Sequence, residues 1–323
     1  MALPRTDNYL QPPKRRPFWN RRMSDNVQGW LFILPAVIGF FLFQLGPVIA
    51  SLALSFTKYN IIKPPTFVGL DNYKTMFTDD KLFRISVEAT LKYSFLAIPL
   101  SLITAYIAAL LLNRDMRGIS IYRTLWYLPA LVPSVASAAV WGWLLNRNYG
   151  PINYPLRLLG LPTPGWLVDP DWIIPSLVLI NLWSFGSPLL IFLAGLQGVP
   201  QHLYDAVAVD GGNAWHRFRD VTLPQTSSIV FFNLIMGIIG TFQTFSIVYV
   251  LFTPTAGETN AGPGNAGLLY VLYLYRNAFL YFKSGYASAM AWVLFMVILV
   301  LTALAFWSQR KWVYYEAEAR GGR

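Results

Sequence analysis

Six stretches of this chain run without Asp, Glu, Lys or Arg for at least the ~20 residues that a helix needs to cross the hydrocarbon core of a bilayer. They are Trp30–Thr57, Tyr93–Asn113, Thr124–Asn146, Trp172–Gln201, Val221–Gly257 and Ser284–Gln309. In hydrocarbon every backbone N–H and C=O must find a partner inside the protein, so runs of this length are helices. Composition points the same way. Of 323 residues 55% are apolar and 12% charged, against roughly a quarter charged in soluble domains. A soluble exterior would need the missing charge.

The expected architecture is an all-α membrane protein with a transmembrane domain over residues 30–309. Its six spans lie near 30–56, 88–112, 124–145, 173–197, 227–252 and 287–308. A basic segment (1–29) precedes it and a short tail (310–323) follows. Pro35, Pro47, Pro175 and Pro188 predict kinks, which membrane helices tolerate. One further uncharged run, Thr259–Tyr275, opens Gly/Pro/Asn-rich and is cut by Arg276, so its second half reads as an interfacial helix. The first apolar run is too long for a signal-peptide core and has no A-x-A cleavage site behind it, so the basic segment is expected to stay attached.

Lys and Arg placement sets orientation, because cytoplasmic loops carry the excess. Fifteen of the 25 fall in the N-terminal segment, the 114–123 loop, the 202–220 loop and the C-terminal tail; the alternate segments hold nine. Both termini are therefore expected in the cytoplasm, with Lys92 snorkelling to the outer interface. Trp126, Trp141, Trp143, Trp172, Trp292 and Trp307 fall toward span ends and read as interfacial belt residues.

Several chemistries are excluded or disfavoured. The chain has no cysteine, which removes disulfides, thiolate nucleophiles and thiolate metal sites, and its only histidines are His202 and His216. No Gly-Lys dipeptide occurs, so there is no Walker A phosphate loop. No H-E-x-x-H or G-x-S-x-G occurs either. The centres of the spans carry no Asp, Glu, His, Lys or Arg, which argues against an ion relay or an intramembrane enzyme.

The most informative loop runs from Val199 to Gln225, VPQHLYDAVAVDGGNAWHRFRDVTLPQ. Pro200 suits a first helical turn, after which Leu203, Ala206 and Val207 share a face. Asp210-Gly211-Gly212 is a helix stop. A second short helix follows, with Trp215, Phe218 and Val221 on its apolar face, ending before Pro224. This exposed hairpin needs a partner protein or the lipid headgroups to cover it. With two arginines against three aspartates it has no footprint for nucleic acid.

The loop resembles the EAA loop of ABC-importer permeases. Asp205-Ala206-Val207 is followed after three residues by Gly211, after nine more by Val221, and then by Leu223-Pro224. Asp205 stands where the family has Glu, Val207 where it has Ala, and Gly212 where Ala usually follows the glycine. The resemblance covers roughly Trp30 to Trp307 and is closest to sugar-type permeases such as those of the maltose transporter. Phe67-Val68-Gly69-Leu70-Asp71-Asn72-Tyr73 carries it, as do Arg123-Thr124-Leu125 with Leu128-Pro129, and Tyr149-Gly150-Pro151-Ile152-Asn153. Leu193-Ala194-Gly195-Leu196-Gln197 and Gly285-Tyr286-Ala287-Ser288-Ala289 complete the set. Thr253–Gly267 looks several residues longer than the family's glycine-rich turn.

The resemblance implies a type I importer permease fold in a bacterial inner membrane, non-catalytic and binding no cofactor or metal. It implies a second homologous permease, two ATP-binding cassette subunits that hold ATP and Mg²⁺, and an extracytoplasmic solute-binding protein. The ATPase contact would be the 199–225 loop through Leu203, Tyr204, Asp205, Ala206, Val207, Asp210, Gly211, Gly212, Trp215, Phe218, Leu223 and Pro224. The substrate would be a sugar or oligosaccharide, and a small Lys/Arg excess in the outward segments is compatible with an acidic one such as an alginate-like oligouronate. Candidate path residues are Asn181, Trp183 and Ser184 in span four and Gln243, Thr244 and Ser246 in span five. Each could equally hydrogen-bond between helices. The alternative class is a stand-alone channel or secondary carrier for a small polar solute.

Overall fold

The computed structural model describes residues 18–114, 116–252 and 261–314, with side chains from residue 27 onward. Four of the described helices are long and apolar enough to cross a membrane: Val27–Ser55, Lys81–Leu112, Ser227–Phe252 and Ser284–Gln309. Two bent pairs bring the number to six, Ile119–Leu131 with Ser134–Leu144 at 95° and Pro170–Trp183 with Gly186–Gln197 at 49°. The six expected spans are all helical. A two-stranded hairpin, Thr57–Lys58 against Thr66–Phe67, is the departure from an all-helical chain among the described residues.

The chain divides into two units, one up to Ala53 and one from Leu54. The first is helical from Phe18, so the expected tail 1–29 is helix over its last part, while residues 1–17 lie outside the described residues. Within it the residues Phe41–Leu45 form a π-turn, where the Gly46 N–H bonds to the Phe41 carbonyl. Pro47 follows at once. Its missing N–H and bulky ring disrupt a normal turn, and the wider one gives them room.

In the second unit, the helix that contains span two starts at Lys81, seven residues ahead of the expected span. Asp80 caps it, with Oδ1 accepting from the Phe83 N–H at 2.9 Å. The helix leading into span three starts at Ile119, ahead of the expected span, passes through a 3-10 turn at Leu128–Leu131, and turns sharply before Ser134. Arg123, expected in a loop, lies in this helix, and its guanidinium donates to the Leu112 carbonyl at 3.0 Å, closing the end of span two.

Span four breaks at Ser184–Phe185. Pro188 explains the position. It has no N–H to give the Ser184 carbonyl, and its ring would strike that oxygen. The helix therefore stops at Trp183 and restarts at Gly186, which places Pro188 in a first turn where no donor is required. Span five is helical over Ser227–Phe242 and again from Ser246 up to Phe252, where the described residues stop, with an interruption between. Span six is Ser284–Gln309.

The main core joins spans two, four, five and six through Tyr93, Ala97, Ile173, Leu177, Phe252 and Met290. The segment Tyr270–Tyr275, expected at the membrane interface, is inside this core instead: Tyr270 is only 4% exposed. Specific bonds hold it there. The Tyr270 N–H donates to Thr90 Oγ1 at 2.8 Å and its hydroxyl donates to the Met290 carbonyl at 2.8 Å. Trp141 is likewise buried rather than interfacial, its ring 6.0 Å edge-on from Trp183. A second cluster packs Ala105, Ala108 and Ala109 of span two against Leu189, Phe192 and Leu193 of span four. Small residues let the two helix backbones come close.

Two of the sequence motifs meet at one strand. Asn72 Nδ2 donates to the carbonyls of Ser55 (2.8 Å) and Thr57 (2.9 Å), and the Tyr73 hydroxyl donates to Ser55 Oγ at 2.8 Å. From the other side Gly285 presses against the Thr57 carbonyl so closely that a β-carbon could not fit. Its N–H donates to Tyr59 at 3.1 Å.

Candidate functional site

The loop between spans four and five is a helical hairpin, as expected, but its faces and its end differ. The first helix is Gln201–Val209, with Pro200 as the residue before it, and none of its side chains is buried. Leu203, Tyr204 and Val207 are half-buried and face inward, whereas Ala206 is exposed beside Gln201, His202 and Asp205. Tyr204 displaces Ala206 from the inner face because its hydroxyl bonds to Thr222 Oγ1 at 3.1 Å. Asp205 makes one bond, accepting from Gln201 Nε2 at 3.2 Å, and Val209 is 88% exposed.

The expected stop is a Schellman motif. Gly211 has φ +76°, the Gly212 N–H bonds to the Val207 carbonyl at 2.8 Å and the Gly211 N–H to that of Ala208 at 3.1 Å. Asp210 is exposed just before it. Next comes a capping box that sequence reasoning missed: Asn213 Oδ1 accepts from the N–H groups of Trp215 (2.9 Å) and His216 (3.2 Å) while His216 reaches back to the Asn213 backbone. An Asn three residues before a polar side chain was the available signal.

The second helix does not end before Pro224. It runs Ala214–His216, then a π-turn Arg217–Thr222, then Leu223–Gln225. The Leu223 N–H reaches back to the Phe218 carbonyl, so the wide turn accommodates Pro224 as another does Pro47. Trp215 and Leu223 are exposed, Phe218 is half-buried with its ring 5.7 Å from Trp215, and Val221 and Thr222 are buried.

The candidate path residues are only partly brought together. Asn181 and Thr244 both lie near the hydroxyl of buried Tyr93, where spans two, four and five converge. Trp183 is half-exposed against Trp141. Ser184 and Gln243 mark the two helix breaks and Ser246 starts the helix after the second. Non-helical backbone at membrane depth is tolerated where it is buried in protein or lines a water-filled cavity. Tyr93 was missed because nothing in an apolar run distinguishes it. Residues 253–260 of the long loop after span five lie outside the described residues.

Several long apolar helices, two of them interrupted, with a structured and largely exposed hairpin between those two, are the architecture of a multi-pass membrane transport subunit. The chain belongs to the family described as binding-protein-dependent transport system inner membrane component, whose profile matches residues 97–313. It is 42% identical over 297 residues to the probable ABC transporter permease protein YesP of Bacillus subtilis (strain 168), covering 91% of this chain and 94% of that one. It is 32% identical over 279 residues to the trehalose/maltose transport system permease protein MalF of Thermococcus litoralis, covering 85% and 90%. It is 30% identical over 292 residues to the lactose transport system permease protein LacF of Rhizobium radiobacter, covering 88% and 95%. Among solved structures it shares the fold of a chain in a bacterial alginate ABC transporter, crystallised with an alginate pentasaccharide-bound periplasmic protein. The TM-score is 0.78 at 22% identity, over 92% of this chain and 98% of that one. The fold is that of a type I importer permease in an inner membrane.

Proposed function

We propose that this chain is one of two permeases in an importer that moves a sugar or oligosaccharide from an extracytoplasmic binding protein into the cytoplasm. Two ABC ATPases, holding the ATP and Mg²⁺, dock on the 199–225 loop. The loop and both termini face the cytoplasm, and this chain itself catalyses nothing. The observation that carries the reading is the helix Gln201–Val209, which has no buried side chain yet is stopped at both ends by defined backbone bonds. Such a rigid exposed knob can seat in a partner and carry its motion to the adjoining spans. Relatives named for lactose, trehalose/maltose and arabinooligosaccharides support the substrate class. The fold shared with the alginate transporter and the Lys/Arg excess of the outward segments keep acidic oligosaccharides in range.

The side chains of Asn181 and Thr244 would give a sugar hydroxyl its partners, and Trp183 an aromatic face. Closure of the ATPase pair biases the spans between inward- and outward-facing states. Asp205→Lys tests the reading: its exposed carboxylate makes a single bond to Gln201, so the fold should survive. Co-isolation of the ATPase and sugar-stimulated hydrolysis should both collapse, and Gly211→Pro should act likewise. Unchanged association would show the loop merely lying on lipid headgroups. ATP-independent uptake by this chain alone in liposomes would make it a stand-alone carrier.

A further inference from the structure

The loop is joined by the chain to spans four and five, and a side-chain path also runs from it to span two. From Tyr204 the path passes to Thr222 Oγ1 at 3.1 Å. The Thr222 carbonyl accepts from Thr226 Oγ1 at 2.7 Å, and Thr226 Oγ1 also meets the Tyr106 hydroxyl at 2.7 Å. Tyr106 belongs to Lys81–Leu112 and lies 120 positions away in sequence from Thr226. Its ring stands 5.1 Å edge-on from Phe192 of span four and 6.3 Å from Phe218 of the loop. Thr226 is 1% exposed and Thr222 6%, so water does not compete for these bonds.

We infer that Tyr106 is the joint through which the loop grips span two, so that a push on the loop moves span two directly rather than only through the covalent continuation into span five. The inference rests on the coupling reading above. Three observations favour it. Tyr106 touches the loop, span four and the start of span five at once. The π-turn Arg217–Thr222 interrupts the regular helical ladder between loop and span five, making that covalent route the softer one. Thr222 closes that turn by donating to the Arg217 carbonyl at 3.1 Å, so the bond to Tyr204 and the turn share a residue. Tyr106 acts on transport as a positioning residue; it touches neither nucleotide nor sugar.

The chain has no cysteine, so introduced pairs can be spin-labelled cleanly. The exposed positions Arg219 in the loop, Leu111 in span two and Phe306 in span six suit this. The test uses the assembled transporter, without nucleotide and with a non-hydrolysable ATP analogue. In the native background the 219–111 distance should stay fixed between the two states while the 111–306 distance changes. Tyr106→Phe, which keeps the ring and removes the hydroxyl, should broaden the 219–111 distribution. It should also cut the nucleotide-driven shift in 111–306 population by about five-fold or more, the lower end of ordinary coupling energies. ATPase association and hydrolysis should persist. Thr226→Val breaks the same bond from the other side and should reproduce the result even where Tyr106→Phe folds poorly. Native-like distances in both variants, or a 219–111 distance that already changes with nucleotide in the native background, would overturn the joint alone. A chain that does not retain the ATPase at all would overturn the coupling reading and the joint with it.

Discussion

Val207 and Gly212 fit each other as a large–small pair. A β-carbon on residue 212 would lie 2.5 Å from Val207 Cγ1 and 2.9 Å from the Val207 carbonyl oxygen. These are two of the three positions where the loop departs from the family pattern, which has Ala at both. The valine methyl fills the space that an alanine at 212 would occupy, so the two departures are one packing solution, not two independent drifts.

Gly212→Ala alone should therefore overpack the turn and destabilise the chain by about 1–3 kcal/mol. Adding Val207→Ala should recover part of that loss and give a favourable coupling energy in a double-mutant cycle. Recovery should be incomplete because the carbonyl contact remains. Thermal denaturation in detergent, with ATPase co-isolation alongside, measures both. Strict additivity would mean that the turn relaxes elsewhere.

Gly211 is constrained differently. It has φ +76°, and nothing lies within 4 Å of the point where a β-carbon would sit, so the cost of a side chain there is conformational alone. Gly211→Ala should lose about 1 kcal/mol. Gly211→Asn should lose less, since Asn accepts the left-handed region more readily. The order of the two melting points is the check.

Asp80 joins three elements. One oxygen caps span two, while the other accepts from the hydroxyls of Tyr273 at 2.6 Å and Tyr286 at 2.5 Å. Burial, with the carboxylate beside it, pushes the Tyr273 phenol well above its ordinary pKa, so it stays a donor through the physiological range. Asp80→Ala should cost about 3 kcal/mol or more, from a lost cap and two charge-assisted bonds. Asp80→Asn should cost less. Urea or heat unfolding of the purified chain gives both values.

Asn153 is fully buried, and its amide accepts from Trp166 Nε1 at 2.9 Å and donates to the carbonyls of Arg147 (3.2 Å) and Pro164 (3.1 Å). Asn153→Leu strands three polar groups, each costing about 1–3 kcal/mol when left unpaired. The expected outcome is failure of the outer 147–169 segment to order, read as new protease cleavage there while the coupling loop still retains the ATPase.

The spans were legible because lack of charge over a bilayer's thickness is a one-dimensional constraint. Their breaks were not, since a charge-free window says nothing about direction. Pro188 flagged span four, yet the break falls at its carbonyl partner Ser184, four residues earlier. Tyr270–Tyr275 was misplaced for a related reason: a short apolar helix beside Arg276 reads the same whether lipid or protein covers it. Only the bonds to Thr90 and Met290, distant in sequence, decide. In the loop the stop was legible because glycine's backbone preference is local. Tyr204 was placed among the contact residues, but its facing Thr222 depends on a turn that sequence periodicity does not encode. Asn181 and Thr244 stand out in the sequence for a simple reason: polar groups in apolar spans are few.

The π-turn at Arg217–Thr222 also sets phase. A π-turn is one residue inserted into a regular helix, and each residue advances the helix by about 100° about its axis. The side chains before the turn and those after it therefore answer to separate angular registers: Trp215 and its neighbours can be aimed at a partner while Phe231 and Asn233 are aimed into the bundle. Deleting one residue within 217–222 would restore a regular ladder and rotate one set against the other, so both could no longer point where they are needed.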